Sequence, residues 1–384
     1  MLPSRVWLLG AVVLSILVYG VISSMLGSLL PALGFTGEQN GTLALTQAVG
    51  LALAALSAGP LIDIRGPKAA MVAGLTSMAA ALWFLPGAAG KFPRMAALWF
   101  LLGLGGGLMG TTSNSLLSDI GGVRRAAMLN TGNVFFGVGL MITPFLASNV
   151  FAGDVRGSCF FAAILVTGTL AVHASIQVPP LNRDRPFSWT LAGVLLRSPA
   201  MHLFTLFAFL YVGCEVGLSN WLVKYLIAQG IPKEHALKIM SLGFAFGLLA
   251  GRTLASRILF YVPAGNVVLG CATFMTVTTF WLLHAGSGEA VVTASVFCAG
   301  LSMSAAYPTL LGLVGDAFPN GTGTAIGLVT TAGWAGLGVS SSLIGMIAGD
   351  DESNLGRALL LLPAFSLLLV GVSLTLRKKL STDS

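Results

Sequence analysis

The sequence predicts an all-α membrane protein, with twelve transmembrane helices in two pseudo-symmetric six-helix bundles. Three observations predict it. Of 384 residues, 55% are hydrophobic and only 9% are charged. The chain divides into twelve apolar runs, each long enough to cross a bilayer. The later runs repeat features of the earlier ones at a nearly fixed spacing.

Composition excludes a soluble fold. An ordinary soluble domain carries roughly 25% charged residues, and a chain with so few could not cover a surface of this size. Lipid needs no such cover. The 49 glycines suit close helix packing in a bilayer, where small side chains line the contacts. The net charge of +7 could point to nucleic acid or to an anionic membrane surface. The basic residues fall between apolar runs, so membrane lipid is the expected partner and nucleic acid is not. Cys159, Cys214, Cys271 and Cys298 all lie within apolar runs, without metal-ligand spacing. No disulfide, metal site or cofactor is expected.

A spanning helix needs about 20 mostly apolar residues. The runs are 6–33, 40–62, 68–86, 94–118, 126–150, 158–178, 199–226, 236–258, 264–284, 289–313, 321–347 and 354–376. The first is too long for a signal peptide and lacks a small-residue cleavage site before the next polar loop. The polar stretch 179–198 is the longest connection. It separates an N-terminal bundle, 1–178, from a C-terminal bundle, 199–384, and serves as a cytoplasmic linker between them.

Orientation follows from the positive-inside rule. With the N-terminus in the cytoplasm, thirteen of twenty Lys and Arg residues lie on the cytoplasmic side, including Arg5, Arg65, Lys68, Arg124, Arg125, Arg197, Arg252, Arg257 and Arg377. Seven lie outside, offset by acids such as Glu38, Asp154 and Glu289. Both termini are therefore expected inside, in a multi-pass protein of the cell inner membrane.

The repeat is legible residue by residue. At an offset of 197, Phe100, Gly103 and Asp119 of the fourth run meet Phe297, Gly300 and Asp316 of the tenth. At 199, Thr131, Gly137 and Gly139 meet Thr330, Gly336 and Gly338. At 192, Tyr19, Gly59 and Arg65 meet Tyr211, Gly251 and Arg257. Matches in the same order with small changes of offset imply two parallel halves related by an axis along the membrane normal.

Between the second and third runs stands the loop Gly59, Pro60, Leu61, Ile62, Asp63, Ile64, Arg65, Gly66, Pro67, Lys68. It resembles the major-facilitator loop motif. Its physical reading is a cytoplasmic gate. Gly59 allows close helix approach, and Asp63 can face a helix N-terminus or an arginine, with Arg124 and Arg125 as candidates. The second copy keeps Gly251 and Arg252 but has Ala255 in place of the aspartate. Arg252 reads as a gate or pairing residue, with Asp316 as its candidate partner.

Polar groups at membrane depth are costly and mark function by default. Glu215, in the seventh run, is the one carboxylate placed well inside a span. Tyr211 and Ser219, four residues to either side, share its face. Gly213 and Gly217 flank it, so the helix can bend there. Glu215 is the candidate to accept hydrogen bonds from a small polar ligand, to take up a proton, or both. Gln47, Asn114, Asn133 and Asn220 add amides, and Tyr307 and Trp334 add aromatic walls. Such a mixture suits a sugar, with amides and acid for hydroxyls and aromatic faces for the ring. Each amide also fits an interhelical hydrogen bond, and each aromatic fits core packing. The four histidines lie at span ends or in loops.

The motifs YVGCE in the seventh run, GLGGGLMGTTSN in the fourth, and YPTLLGLVGDAFP through TAGWAGLGVSS in the tenth and eleventh resemble the fucose–galactose–glucose:proton symporters of the major facilitator superfamily. The resemblance implies the major facilitator fold, a monomer, alternating access, and uptake of a monosaccharide with protons. The permease motif carries acids on the first and fourth helices. Here the first run has none, and Gly110 stands where the fourth has glutamate. Glu215 is then the candidate for proton uptake, and a uniporter or coupling to another ion are the alternatives. The runner-up function is proton-coupled export of drugs or lipophilic compounds. No Walker loop is present, and GLGGG sits mid-span with no strand before it, so it reads as helix packing rather than a nucleotide loop. No enzymatic activity is expected.

Overall fold

The computed structural model describes residues 2–151, 154–176, 189–286, 288–319, 322–349 and 352–382. Among them, twelve helices are long and apolar enough to cross a bilayer. In chain order they are α1 (Trp7–Leu33), α2 (Gly37–Ile62), α3 (Ile64–Ala88), α4 (Phe92–Gly121), α5 (Arg125–Asn149), α6 (Val155–Ser175), α7 (Pro199–Ala228), α8 (Lys233–Ile258), α9 (Ala264–His284), α10 (Glu289–Ala317), α11 (Thr322–Ala348) and α12 (Leu355–Lys379). Each coincides with an expected run, with ends shifted by no more than about one helical turn. No described residue lies in a strand. With twelve spans, the first and last described residues, Leu2 and Thr382, fall on one face of the bundle, called here the terminal face. Of the expected linker 179–198, residues 179–188 lie outside the described residues, and a short helix, Trp189–Leu196, precedes α7.

Local chemistry sets the helix ends. The Thr36 hydroxyl accepts from the Gln39 amide and the Gln39 side chain accepts from the Thr36 amide, a capping box that starts α2. Asp154 accepts from the Arg156 and Gly157 amides and starts α6. At the start of α3 the chain reverses at Gly66, whose φ of 82° lies in the left-handed region that side chains avoid. Pro67 follows and cannot extend α2. The Gly59–Lys68 signature is thus a tight reversal in space.

The repeat is a packing rule. Gly103 of α4 lies against the Gln47 carbonyl of α2, and Gly300 of α10 lies against the Phe244 carbonyl of α8. These glycines are repeat mates, and each meets a carbonyl of the corresponding helix of its own half. A side chain at either would push the helices apart. Gly20 of α1 and Gly139 of α5 approach each other's backbones in the same way. Among the described residues the halves meet mainly where α1 packs on α7, α2 on α11, and α5 on α8 and α10, with a smaller contact of α4 on α11.

Three helices are irregular near the centre. α1 is interrupted at Ser24. α8 is π-helical over Ile239–Ala245, a deformation common at functional sites. α10 is interrupted at Ser304–Ala305. Pro308 has no N–H to give to the Ser304 carbonyl four residues earlier, so that carbonyl is free for another donor.

Candidate functional site

A cavity of about 40 Å3 lies at mid-depth between the halves. Its walls come from α1, α2, α4 and α5 of the first half and from α7, α8 and α11 of the second. Each helix contributes residues near its middle. Tyr19, Ser23, Gln47, Glu215, Ser219, Asn220 and Trp334 supply polar atoms. Ile22, Leu51, Leu102, Phe136, Phe244, Leu248 and Leu337 supply an apolar surround. The space holds a few water molecules at most.

The halves touch on both sides of this cavity. Toward the terminal face, Arg125 Nη1 donates to the Gly315 carbonyl at 2.7 Å, and Asn130 Nδ2 donates to Thr309 Oγ1 at 3.2 Å. On the opposite side, Ser148 Oγ donates to the Glu234 carbonyl at 3.1 Å. There Gly37 and Gly41 of α2 pack on Gly345 and Gly349 of α11, and Gly27 of α1 packs on Ser219 of α7.

Glu215 is 8% exposed, and that exposure is to the cavity. Arg252 of α8 stands behind it, with Nη2 3.4 Å from Glu215 Oε1. The other two nitrogens are engaged as well. Nε donates to the Ser304 carbonyl at 3.1 Å, the carbonyl freed by Pro308, and Nη1 donates to the Asn133 carbonyl at 3.0 Å. The head also lies 4.8 Å from the Phe136 ring centre, a favourable cation–π contact in a dry site. The expected pairing of Arg252 with Asp316 is therefore corrected. Arg252 sits six residues from the end of α8, but its side chain reaches inward to the cavity floor. Asp316 instead faces Arg125.

Four of the expected ligand residues line the cavity: Glu215, Gln47, Asn220 and Trp334. The Trp334 indole N–H is buried with no hydrogen-bond partner among the described residues. The other four stand behind the wall. Tyr211 is wholly buried and donates its hydroxyl to the Met303 carbonyl. Tyr307 stacks on Tyr211 at 6.0 Å between ring centres and donates to Thr330 Oγ1 at 3.0 Å. Asn133 Nδ2 donates to Asn114 Oδ1 at 3.2 Å and to the Leu129 carbonyl at 2.8 Å, so these two amides meet across α4 and α5. Tyr19, Phe136 and Phe244 are lining residues that sequence reasoning did not single out as ligand contacts. The Tyr19 ring covers Gly106 and Gly110 and fills the space a side chain at 110 would need. α7 runs as one continuous helix through Gly213 and Gly217. They let it pack against α11 and α12, at Gly336, Ser340 and Phe365.

At the terminal face, Arg124 lies 5.5 Å from the Phe260 ring centre, and Arg125 bonds across the halves as above. Gly59 lines a groove beside α11, and Arg65 is exposed. The Asp63 side chain lies outside the described residues. No cluster of three or more metal-ligating side chains occurs among the described residues.

Known proteins match this chain over nearly its whole length. The family model for the Major Facilitator Superfamily matches residues 8–341. Solved structures with the same fold include the nucleoside transporter NupG, in a variant form, with TM-score 0.76 and 15% identity over 97% of this chain and 99% of that one. A variant of the E. coli fucose:proton symporter FucP gives TM-score 0.75 and 17% identity over 97% and 99%. The human organic anion transporter TETRAN gives TM-score 0.74 and 16% identity over the same shares. Among curated proteins, Bypass of stop codon protein 6 of Saccharomyces cerevisiae is 36% identical over 58 residues, which is 15% of this chain and 12% of that protein's length.

Proposed function

The chain belongs to the Major Facilitator Superfamily, and from that premise we propose that it takes up a small polar solute, most simply a monosaccharide, together with protons. It is a multi-pass membrane transporter. The observation that carries the proposal is Glu215, a carboxylate opening onto a central cavity between the halves and held from behind by Arg252.

The chemistry follows from that geometry. Glu215, Gln47, Asn220 and the unpartnered Trp334 N–H offer acceptors and donors to hydroxyl groups. The aromatic faces of Tyr19, Phe136 and Trp334 suit the C–H surface of a sugar ring. The cavity is too small for a monosaccharide in this conformation, so binding requires the halves to part on one side. Protonation of Glu215 removes the charge that faces Arg252. Arg252 also holds the Asn133 carbonyl of the other half, so the proton state of Glu215 bears on how firmly the halves are joined. This couples proton uptake to rocking of the bundles 1–178 and 199–384 about the site. We assign the protein to the cell inner membrane as a monomer, with both termini in the cytoplasm, on the bias of Lys and Arg toward the terminal face.

Reconstitution tests the proposal. Liposomes carrying the wild type or Glu215→Gln are offered a panel of labelled monosaccharides, with and without an inward proton gradient. Accumulation of one sugar that needs the gradient and is lost in Glu215→Gln is the expected result. Equilibration without accumulation means a uniporter. A second reading, proton-coupled export of lipophilic compounds, is favoured by the apolar surround of Ile22, Leu51, Leu102, Leu248 and Leu337. Absence of sugar uptake together with gradient-driven movement of amphipathic cations would replace the sugar proposal with that one.

A further inference from the structure

A second cavity lies outside the central site. On the α5–α8 seam, toward the terminal face, lies an open groove of about 580 Å3. One wall belongs to the first half, with Arg124, Thr131 and Phe135, and the other to the second, with Thr253, Arg257 and Phe260. Phe135, within the α5 span, is 38% exposed, so the apolar part of the groove faces lipid there, while Phe260, 57% exposed, stands in the turn after α8 beside the headgroup end. No acidic side chain lines it among the described residues.

We propose that this groove binds one anionic phospholipid, with its phosphate between Arg124 and Arg257 and an acyl chain along Val134 and Phe135. Charge and length both argue for it. The hydroxyls of Thr131, Thr253 and Ser256 donate to carbonyls of their own helices, so recognition of an anion falls to the two arginines. From Arg124 to Phe135 the groove runs eleven residues along α5, about 16 Å at the helical rise, which is about half the hydrocarbon core of a bilayer. The arginines therefore stand at headgroup level and the phenyl ring near the end of an acyl chain.

The other seam shows what this groove lacks. The α2–α11 groove at the same face, of about 350 Å3, is walled in part by protein, through Gly193 and Leu196 of the helix Trp189–Leu196. Among the described residues the α5–α8 groove is walled by the end of α4, the first half of α5 with the preceding Arg124, and the end of α8 with the following Phe260, and by no further element. Its walls come from both halves, so it is complete only when they meet at the terminal face. A bound lipid favours that conformation.

Native mass spectrometry of the purified full chain tests this with no transport readout. The protein is mixed with phosphatidylglycerol or phosphatidylcholine of the same acyl chains. The wild type retains phosphatidylglycerol preferentially, with about fivefold preference per arginine at the membrane surface. In Arg124→Gln/Arg257→Gln the preference falls to near parity, whereas Arg377→Gln, a cation elsewhere on the same face, keeps it. Thr131→Trp retains both arginines but fills the groove, and it lowers retention of phosphatidylglycerol even where the double variant folds poorly. Equal retention of both lipids by the wild type would overturn the proposal. So would a preference that survives both groove changes or falls as far in Arg377→Gln.

Discussion

Arg252 joins Glu215 to both halves of the molecule. Its Nη2 lies 3.4 Å from the Glu215 carboxylate on α7, while its other nitrogens hold the Asn133 carbonyl on α5 and the Ser304 carbonyl on α10. The side chain is 4% exposed. A guanidinium suits this place because its planar donors reach three acceptors at once, which an ammonium on a flexible stem does not do as well. The acid that faces the cavity and the contact that joins the halves thus share one residue.

Breaking that pair from one side is expected to be costly. Arg252→Gln leaves Glu215 without its partner, and removing one member of a buried pair costs about 3–5 kcal/mol. Thermal unfolding in detergent should show a large drop for Arg252→Gln. The double variant Glu215→Gln/Arg252→Gln should recover much of it, because no lone charge remains. A double variant no more stable than Arg252→Gln would show that the two side chains are not energetically coupled.

Trp334→Phe separates the ring from its donor. The phenyl keeps an apolar wall and removes the one cavity-lining indole N–H, which has no protein partner among the described residues. A ligand hydroxyl that accepts from it loses a bond worth about 0.5–1.5 kcal/mol. Substrate titration should show half-saturation rising by about two- to tenfold with little change in maximal rate. Unchanged affinity would remove Trp334 from the ligand contacts.

The twelve spans were legible because length and hydropathy fix them in lipid, and the repeat was legible because Gly103 and Gly300 must be glycine for the same packing reason. Depth along a helix was legible too, and it drew attention to Glu215. Sequence position gives the depth of a Cα and not the reach of a long side chain, so Arg252 read as a residue of the helix end. The target of the Tyr211 hydroxyl depends on the interruption at Ser304–Ala305, which leaves no periodic signal. Asn114 and Asn133 meet only because α4 and α5 sit in one particular register. Phe136 and Phe244 look like any core phenylalanine until the fold brings them to one cavity.

Tyr211→Phe should act on stability and leave binding alone. Tyr211 does not line the cavity, and its hydroxyl donates to the Met303 carbonyl from a position beside the Glu215 carboxylate. Losing that bond costs about 1 kcal/mol. The melting temperature in detergent should fall by a few degrees while half-saturation for substrate stays at the wild-type value. A rise in half-saturation to the extent seen for Trp334→Phe would place Tyr211 in the binding surface of another conformation.

Paired glycine substitutions should push the halves in opposite directions. A Cβ on Gly345 would stand 2.6 Å from the Gly37 carbonyl oxygen, on the face opposite the termini. A Cβ on Gly312 would stand 2.6 Å from the Ala126 Cβ, toward the terminal face. Over-packing of this kind costs about 1–3 kcal/mol. That is enough to shift a two-state balance by about fivefold to a hundredfold or more. Ser219→Cys supplies a reporter in the cavity wall, labelled by an impermeant maleimide added from the side opposite the termini. Gly345→Val should speed that labelling, because the halves can no longer close there. Gly312→Val should have the opposite sign when the reagent is added from each side in turn, with labelling from the terminal side gaining. If both variants change labelling in the same direction from the same side, the substitutions loosen the bundle rather than bias it. The two glycine contacts would then not be the closures of alternating access.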